Sequence, residues 1–134
     1  MLGEIVEAAA AKAILGSLAA IKGNYDAAVT SFDQAITCLD TAGEISEQAE
    51  ACYLAGKSLV KSKGHHELAS RYLNQAIRLA ERLSLKHLLV RSHYQLSALH
   101  VEEADYDEAL TILEECERLA TTSNDDRARE ECRI

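Results

Sequence analysis

The stretch that decides the fold occurs three times: GNYDAAVTSFDQAITCL at residues 23–39, GHHELASRYLNQAIRLA at residues 64–80 and ADYDEALTILEECERLA at residues 104–120. The three copies start 41 and 40 residues apart. A shorter pattern lies upstream of each copy, at residues 13–16, 53–56 and 94–97, with offsets of 40 and 41 residues. Repetition at such a period is typical of arrays in which one supersecondary unit stacks on the next. The sequence therefore predicts three units, with one extra residue in the turn of the middle one.

The spacing within each copy predicts helices. In the first copy the small Ala28 is followed by Phe32 four residues later and by Ala35 seven residues later, which is helical periodicity. The chain has no proline and only 4% aromatic residues, a composition that suits close-packed helices. Each unit is predicted to be a helix, a tight turn and a second helix. We expect six main helices, near residues 9–22, 25–42, 44–63, 66–83, 85–103 and 106–121, and a short terminal helix.

These residues resemble the tetratricopeptide repeat over about residues 9–121. The family pattern is a small residue late in the first helix, a Gly-x-Tyr-Asp/Glu-x-Ala turn, a large apolar residue four positions on, and then a further Ala. The run GNYDAA at residues 23–28, with Phe32 and Ala35, follows that pattern closely, and ADYDEA at residues 104–109 is nearly as close. The resemblance implies an all-α fold, a right-handed superhelical stack of three helix-turn-helix repeats plus a partial fourth or capping helix.

The sequence departs from the family pattern at two points. The usual Trp or Tyr early in the first helix is replaced by Lys12, Cys52 and His93, and no proline closes the unit. The period is 40–41 residues, longer than the usual repeat of about 34. This longer period is similar to the extended-helix subgroup of kinesin light chains, polarity-scaffold proteins and bacterial signalling regulators.

The predicted organisation is a single domain over residues 1–134. Its repeats span about residues 9–43, 44–84 and 85–122. A capping signal at Asn124 introduces residues 123–134, which align with the start of a further first helix. They are expected to begin another repeat of a longer array or to form a cap helix.

Charge and composition exclude several function classes. The net charge is −8, which argues against a nucleic-acid surface because phosphate binding needs clustered Lys and Arg. The middle of the chain, residues 44–100, carries +3 between two acidic flanks. No stretch is long and apolar enough for a membrane span. The expected location is the cytoplasm, where the four scattered cysteines serve as small buried residues; a disulfide framework or zinc site is the alternative.

Catalytic and metal motifs do not emerge from the sequence. There is no phosphate-binding glycine loop, no GxSxG and no HExxH, so we expect no enzyme and no cofactor. The strongest metal candidate is His93 and His100, seven residues apart on one predicted helix, with Glu103 nearby. Both histidines align with ordinary packing positions of the repeat, and that interpretation is the better supported one.

The resemblance implies a binding surface on the concave side, lined by the first helices. Tyrosine and arginine are common anchors of interfaces, although the tyrosines could instead pack between helices. We predict that the ligand-contact residues are Tyr53, Lys57, Lys61, Arg91 and Tyr94. The other groove positions are Ala10, Ala13, Ser17, Ala20, Ile21, Glu50, Val60, Ala98, Val101 and Glu102.

The leading functional hypothesis is a protein-interaction scaffold that binds a peptide or helix, with acidic residues, in this groove. One alternative is a sensor or regulatory segment of a larger signalling or transcription-regulating protein. The other is a self-assembling fragment, with a homodimer formed through the surface of the last repeat. A chaperone-type carboxylate clamp is not expected, because Ala13 and Ser17 stand where that clamp would begin.

Overall fold

A computed structural model describes residues 2–122, and this part of the chain is built of α-helices with no strand. The predicted all-α stack of helix-turn-helix repeats is confirmed. The terminal helix predicted beyond the third repeat lies outside the described residues. The six helices are α1 (Leu2–Ile21), α2 (Tyr25–Ala42), α3 (Ile45–Leu59), α4 (His66–Arg82), α5 (Lys86–Glu102) and α6 (Tyr106–Thr122).

Consecutive helices pair as hairpins, and the hairpins stack in chain order. The pairs are α1 with α2, α3 with α4, and α5 with α6. The second helix of each hairpin packs against the first helix of the next, and the first helices α1, α3 and α5 also contact one another in sequence. One face of the stack is therefore formed by first helices alone.

Small residues allow the two helices of a hairpin to approach closely. Gly16 lies beneath the Phe32 ring, where a Cβ atom would be 3.0 Å from the ring carbons. Gly56 lies beneath Leu73, where a Cβ atom would be 2.6 Å from Cδ2 of that side chain. Because both large side chains are fully buried, the sequence needs glycine at these positions.

The turns use the left-handed backbone region. Gly23 has a φ of 84° and Gly43 a φ of 75°, and Gly43 ends α2 by donating its N–H to the carbonyl of Asp40. Ser84 and Ala104 adopt the same region, with φ values of 55° and 59°, although L side chains disfavour it. Four of the turns thus contain a residue in the left-handed region, but only two of them have glycine at that position.

Two predicted helix boundaries are wrong. The first helix begins at Leu2 rather than near residue 9, because residues 5–8 align with the first residues of α3 and α5 and no proline precedes them. The third helix ends at Leu59 rather than near residue 63, and a 3-10 helix at Lys63–His65 follows. The extra residue of the middle repeat is accommodated in this turn.

Side-chain contacts join neighbouring hairpins at their turns and second helices. Ser62 Oγ lies 2.7 Å from His65 Nδ1, and His65 Nε2 lies 3.5 Å from Asp26 Oδ1 in the preceding repeat. The His65 and Tyr25 rings are also in contact, with centroids 5.6 Å apart. The Tyr72 hydroxyl donates a hydrogen bond to Asp33, so α4 is tied to α2. These contacts fix the hairpins relative to one another.

Candidate functional site

Two clefts open on the face formed by the first helices. The α1/α3 cleft has a volume of about 400 Å³ and mainly apolar walls, and the α3/α5 cleft has a volume of about 450 Å³. The first is lined chiefly by Val6, Ala10, Ile14, Tyr53, Leu54 and Arg91, and the second chiefly by Val60, Lys61, Tyr94, Gln95, Ala98 and Val101. Lys57 lines both, so the two clefts form one continuous surface.

The five predicted contact residues all lie on the walls of these clefts. Tyr53 and Arg91 line the α1/α3 cleft, Lys61 and Tyr94 line the α3/α5 cleft, and Lys57 lies between them. Their exposure differs, however. Tyr94 is 49% exposed, whereas Tyr53 is only 7% exposed because it packs into the core. Tyr94 is therefore the more accessible of the two aromatic side chains.

Arg91 is held within the fold. Its guanidinium lies 4.7 Å from the centroid of the Tyr53 ring, a cation–π arrangement. Its Nη2 atom lies 3.3 Å from Glu50 Oε1 on the neighbouring first helix. A ligand at this position would therefore meet an arginine whose charge is already shared with a carboxylate.

Lys57 and Lys61 differ in whether their charge is paired with a carboxylate of the fold. Lys61 Nζ lies 3.3 Å from Glu102 Oε1, although the lysine side chain is 85% exposed and solvent weakens the pair. Lys57 is exposed, and its side chain has no hydrogen-bond or ion-pair partner among residues 2–122. Of the three cations on this face, Lys57 has the charge most available to a ligand.

Several wall residues were not predicted from the sequence. Ile14, Leu54 and Gln95 line the clefts, and Ile14 is 58% exposed. Of the predicted groove residues, Ala13 is buried but lines the α1/α3 cleft, whereas Ala20 is buried and lines neither cleft. Ile14 is four residues from Ala10 and seven from Ile21, so a helical wheel centred on the exposed groove positions could have identified it.

A third hollow of about 200 Å³ lies where α3 and α5 begin. Its walls include Ser46, Lys86 and His87, and it shares Glu50 and Arg91 with the α1/α3 cleft. The charged walls of this hollow thus extend the surface toward the start of α5.

The candidate metal residues do not form a ligand cluster. His100 Nδ1 lies 3.6 Å from Asp105 Oδ2, and burial lowers the pKa of His93 despite the opposing charges of Glu115 and Glu81. Between residues 2 and 122, no group of three or more His, Cys, Asp or Glu side chains is placed to hold a metal ion. Burial, with the charges of Asp33 and Asp40, raises the pKa of Cys52 to about 12, so this thiol is poorly suited to nucleophilic chemistry.

The stacked hairpins and the clefts between their first helices define a helical-repeat protein whose accessible surface suits binding. No helix within the described range has the length and apolarity of a membrane span. The sequence model of the tetratricopeptide repeat matches residues 9–37, 49–82 and 90–122. The chain belongs to the tetratricopeptide repeat family, whose repeats generally mediate protein–protein interaction. No match to the chain was found among curated proteins.

Proposed function

We propose that the chain is a protein-interaction scaffold that binds an extended or helical segment of its partner along the face formed by α1, α3 and α5. The observation that carries this proposal is the pair of mainly apolar clefts joined at Lys57. A hydrophobic groove that takes the apolar face of a helical segment is a recurring form of peptide site. The net charge of −8 also favours a protein ligand over a nucleic acid.

The charge pairing narrows the expected chemistry of the ligand. Three cations suggested an acidic peptide, but Arg91 shares its charge with Glu50 and Lys61 with Glu102. Lys57 is then the main attraction for a carboxylate. The favoured ligand has one Asp or Glu that meets Lys57, with apolar side chains on either side that enter the two clefts.

A displayed library of random peptides, selected on the whole chain, tests the proposal. Enriched peptides should share a single acidic residue flanked by apolar ones. Lys57→Glu should weaken a selected peptide by on the order of tenfold and flatten its salt dependence, with little change in melting temperature. Lys61→Glu should have a smaller effect, because the charge of Lys61 is already offset.

Lys63→Glu is the matched control, because it makes the same charge change at an exposed residue that lines neither cleft. Equal losses with Lys63→Glu would show that the peptides respond only to overall charge. Enrichment of peptides that are insensitive to Lys57, Tyr94 and Ile14 would place the ligand on another face and refute the proposal.

Three further expectations concern a larger parent protein, catalysis and cellular location. A regulatory segment of a larger protein would use the same surface, so that alternative remains a hypothesis beside the scaffold. Absence of catalysis is typical of the family and is part of the proposal. A cytoplasmic location is also proposed, supported by the free thiols of Cys38 and Cys52.

A further inference from the structure

The two ends of the described stack present exposed apolar side chains. On α1, Leu15 is 58% exposed and Leu18 is 49% exposed. On α6, Tyr106 and Leu110 are 65% and 57% exposed. We call Leu15 and Leu18 the leading edge, and Tyr106 and Leu110 the trailing edge. Apolar groups gathered in this way favour contact with another surface.

The repeat shows what covers the leading edge in an array. Leu15 aligns with Ala55 and Leu96, which are 0% and 8% exposed. Leu18 aligns with Ser58, which is half-buried, and with Leu99, which is 1% exposed. Helices α3 and α5 pack against the second helix of the preceding hairpin, whereas α1 is the first helix of the described stack. The leading edge therefore has the form of a receiving surface for a second helix.

The trailing edge corresponds to the side of a second helix that packs on the next first helix. Leu110 aligns with Val29 and Ser70, and Tyr106 with Tyr25 and His66, all of which are half-buried. Helices α2 and α4 pack against the next first helix, and the Tyr25 ring contacts His65 of the following hairpin. Thus α6 carries the surface that α2 and α4 bury, and α1 carries the surface that α3 and α5 bury.

We propose that copies of this chain associate head to tail, with the trailing edge of one copy packed on the leading edge of the next. A homodimer through the surface of the last repeat, which the sequence analysis gives as one alternative, leaves the leading edge uncovered. A head-to-tail contact covers both edges and continues the hairpin stacking already present within the chain. Because such a contact is heterologous, it extends into open oligomers.

Charge complementarity supports this pairing. Lys12 aligns with Cys52, which lies close enough to Asp33 of the preceding helix α2 to be affected by its charge. The residue of α6 that aligns with Asp33 is Glu114. Head-to-tail stacking therefore brings Lys12 of one copy near Glu114 of its neighbour.

One residue opposes tight stacking. Glu117 aligns with Ile36 and Ile77, which are 9% and 8% exposed at the corresponding contacts within the chain. Partial burial of this carboxylate weakens the contact. The association is therefore weak in the natural sequence and becomes stronger when Glu117 is replaced by isoleucine.

Sedimentation of the full chain from micromolar to millimolar concentration tests the proposal. The natural chain should form a growing series of oligomers. Leu15→Glu with Leu18→Glu, and separately Leu110→Glu, should each give monomers, and circular dichroism should show that both remain helical. Glu117→Ile should strengthen association by on the order of tenfold. Leu83→Glu is the control, since it places the same charge at an exposed leucine outside both edges.

Mixing the leading-edge variant with Leu110→Glu distinguishes head-to-tail association from a homodimer. Each retains one intact edge, so the mixture should form a 1:1 complex and nothing larger. Dimers of the leading-edge variant alone would instead establish an α6 homodimer and overturn the proposal, as would a natural chain that stays monomeric throughout. Lys57→Glu should leave association unchanged, so failure here is separable from failure of peptide binding.

Discussion

Arg91 lies over the ring of Tyr53, with its guanidinium carbon 4.7 Å from the ring centroid, and thereby joins the third repeat to the second. Lysine cannot reproduce the planar stacking of a guanidinium. Arg91→Lys should therefore lower the free energy of unfolding by about 0.5–1 kcal/mol in denaturant titrations. Lys61→Ala, which removes an exposed ion pair, should change it by less than about 0.5 kcal/mol. Equal effects would mean that the ring contact contributes nothing specific.

The close approach of α3 and α4 makes Gly56 intolerant of a side chain. A methyl group there would be 2.6 Å from Leu73 Cδ2 and 3.2 Å from the Ala69 carbonyl oxygen. Gly56→Ala should destabilise the fold by about 1–3 kcal/mol, measured by thermal unfolding.

Gly64→Ala is the control for Gly56→Ala, because a Cβ atom at residue 64 meets no atom within 4 Å and the backbone there does not have a positive φ. It should be neutral or slightly stabilising. A comparable loss at both positions would show that the effect is unrelated to packing against Leu73.

The left-handed conformation of Ala104 offers a route to higher stability. This residue aligns with Gly23, and both have positive φ. Ala104→Gly should raise the free energy of unfolding by about 0.5–1 kcal/mol, because the strain removed exceeds the added freedom of the unfolded chain. The reverse change, Gly23→Ala, should lower it. A melting temperature reduced by Ala104→Gly would contradict this expectation.

Stability should decline on the acidic side because of His93. Burial lowers its pKa in the folded state, so the unfolded chain takes up the proton first as the pH falls. The contribution is fully present above about pH 6.5 and is lost as the pH drops toward the folded-state pKa, with a slope of at most about 1.4 kcal/mol per pH unit. His93→Gln should flatten this part of the profile in denaturant titrations at several pH values. An unchanged slope would show that other groups cause the loss of stability at low pH.

The Cys52 thiol should be protected from alkylation. It is fully buried and its pKa is raised to about 12, so little thiolate is present near neutral pH. Mass spectrometry after brief treatment with an alkylating reagent should find Cys52 unmodified in the native chain and modified in denaturant. The half-buried Cys38 should react sooner. Rapid native modification of Cys52 would indicate that the second hairpin opens readily.

Repetition explains why so much of the fold was predictable. Ala28, Ala69 and Ala109 recur in register, and that register fixed the order of the helices. The start of α1 was missed although residues 5–8 align with residues 45–48 and 86–89, the first residues of α3 and α5, so the repeat register itself indicates a helix there. The further extension to Leu2 lies in a run without proline, which leaves no mark of a boundary in the sequence.

The cross-repeat ion pairs follow from the same register. Glu50 pairs with Arg91, and Lys61 with Glu102, and each pair is separated by 41 residues. Equivalent positions on α3 and α5 are therefore neighbours. The residue of α5 that aligns with Lys57 is Ala98, which explains why Lys57 has no charged neighbour there. The depth of Tyr53 depends on the packing of the whole stack and could not be deduced from spacing.

The α1/α3 cleft has walls from two hairpins, with Ile14 on one and Leu54 on the other. It exists only while those hairpins remain docked, and undocking of one hairpin costs less than global unfolding. A ligand in this cleft is thus thermodynamically linked to the docking equilibrium. It adds to the protection of α1 amides against hydrogen exchange, and a substitution that loosens α1 weakens ligand binding to the extent that it populates the undocked state. Hydrogen exchange of the first hairpin therefore reports whether the cleft is occupied, without a label on either molecule.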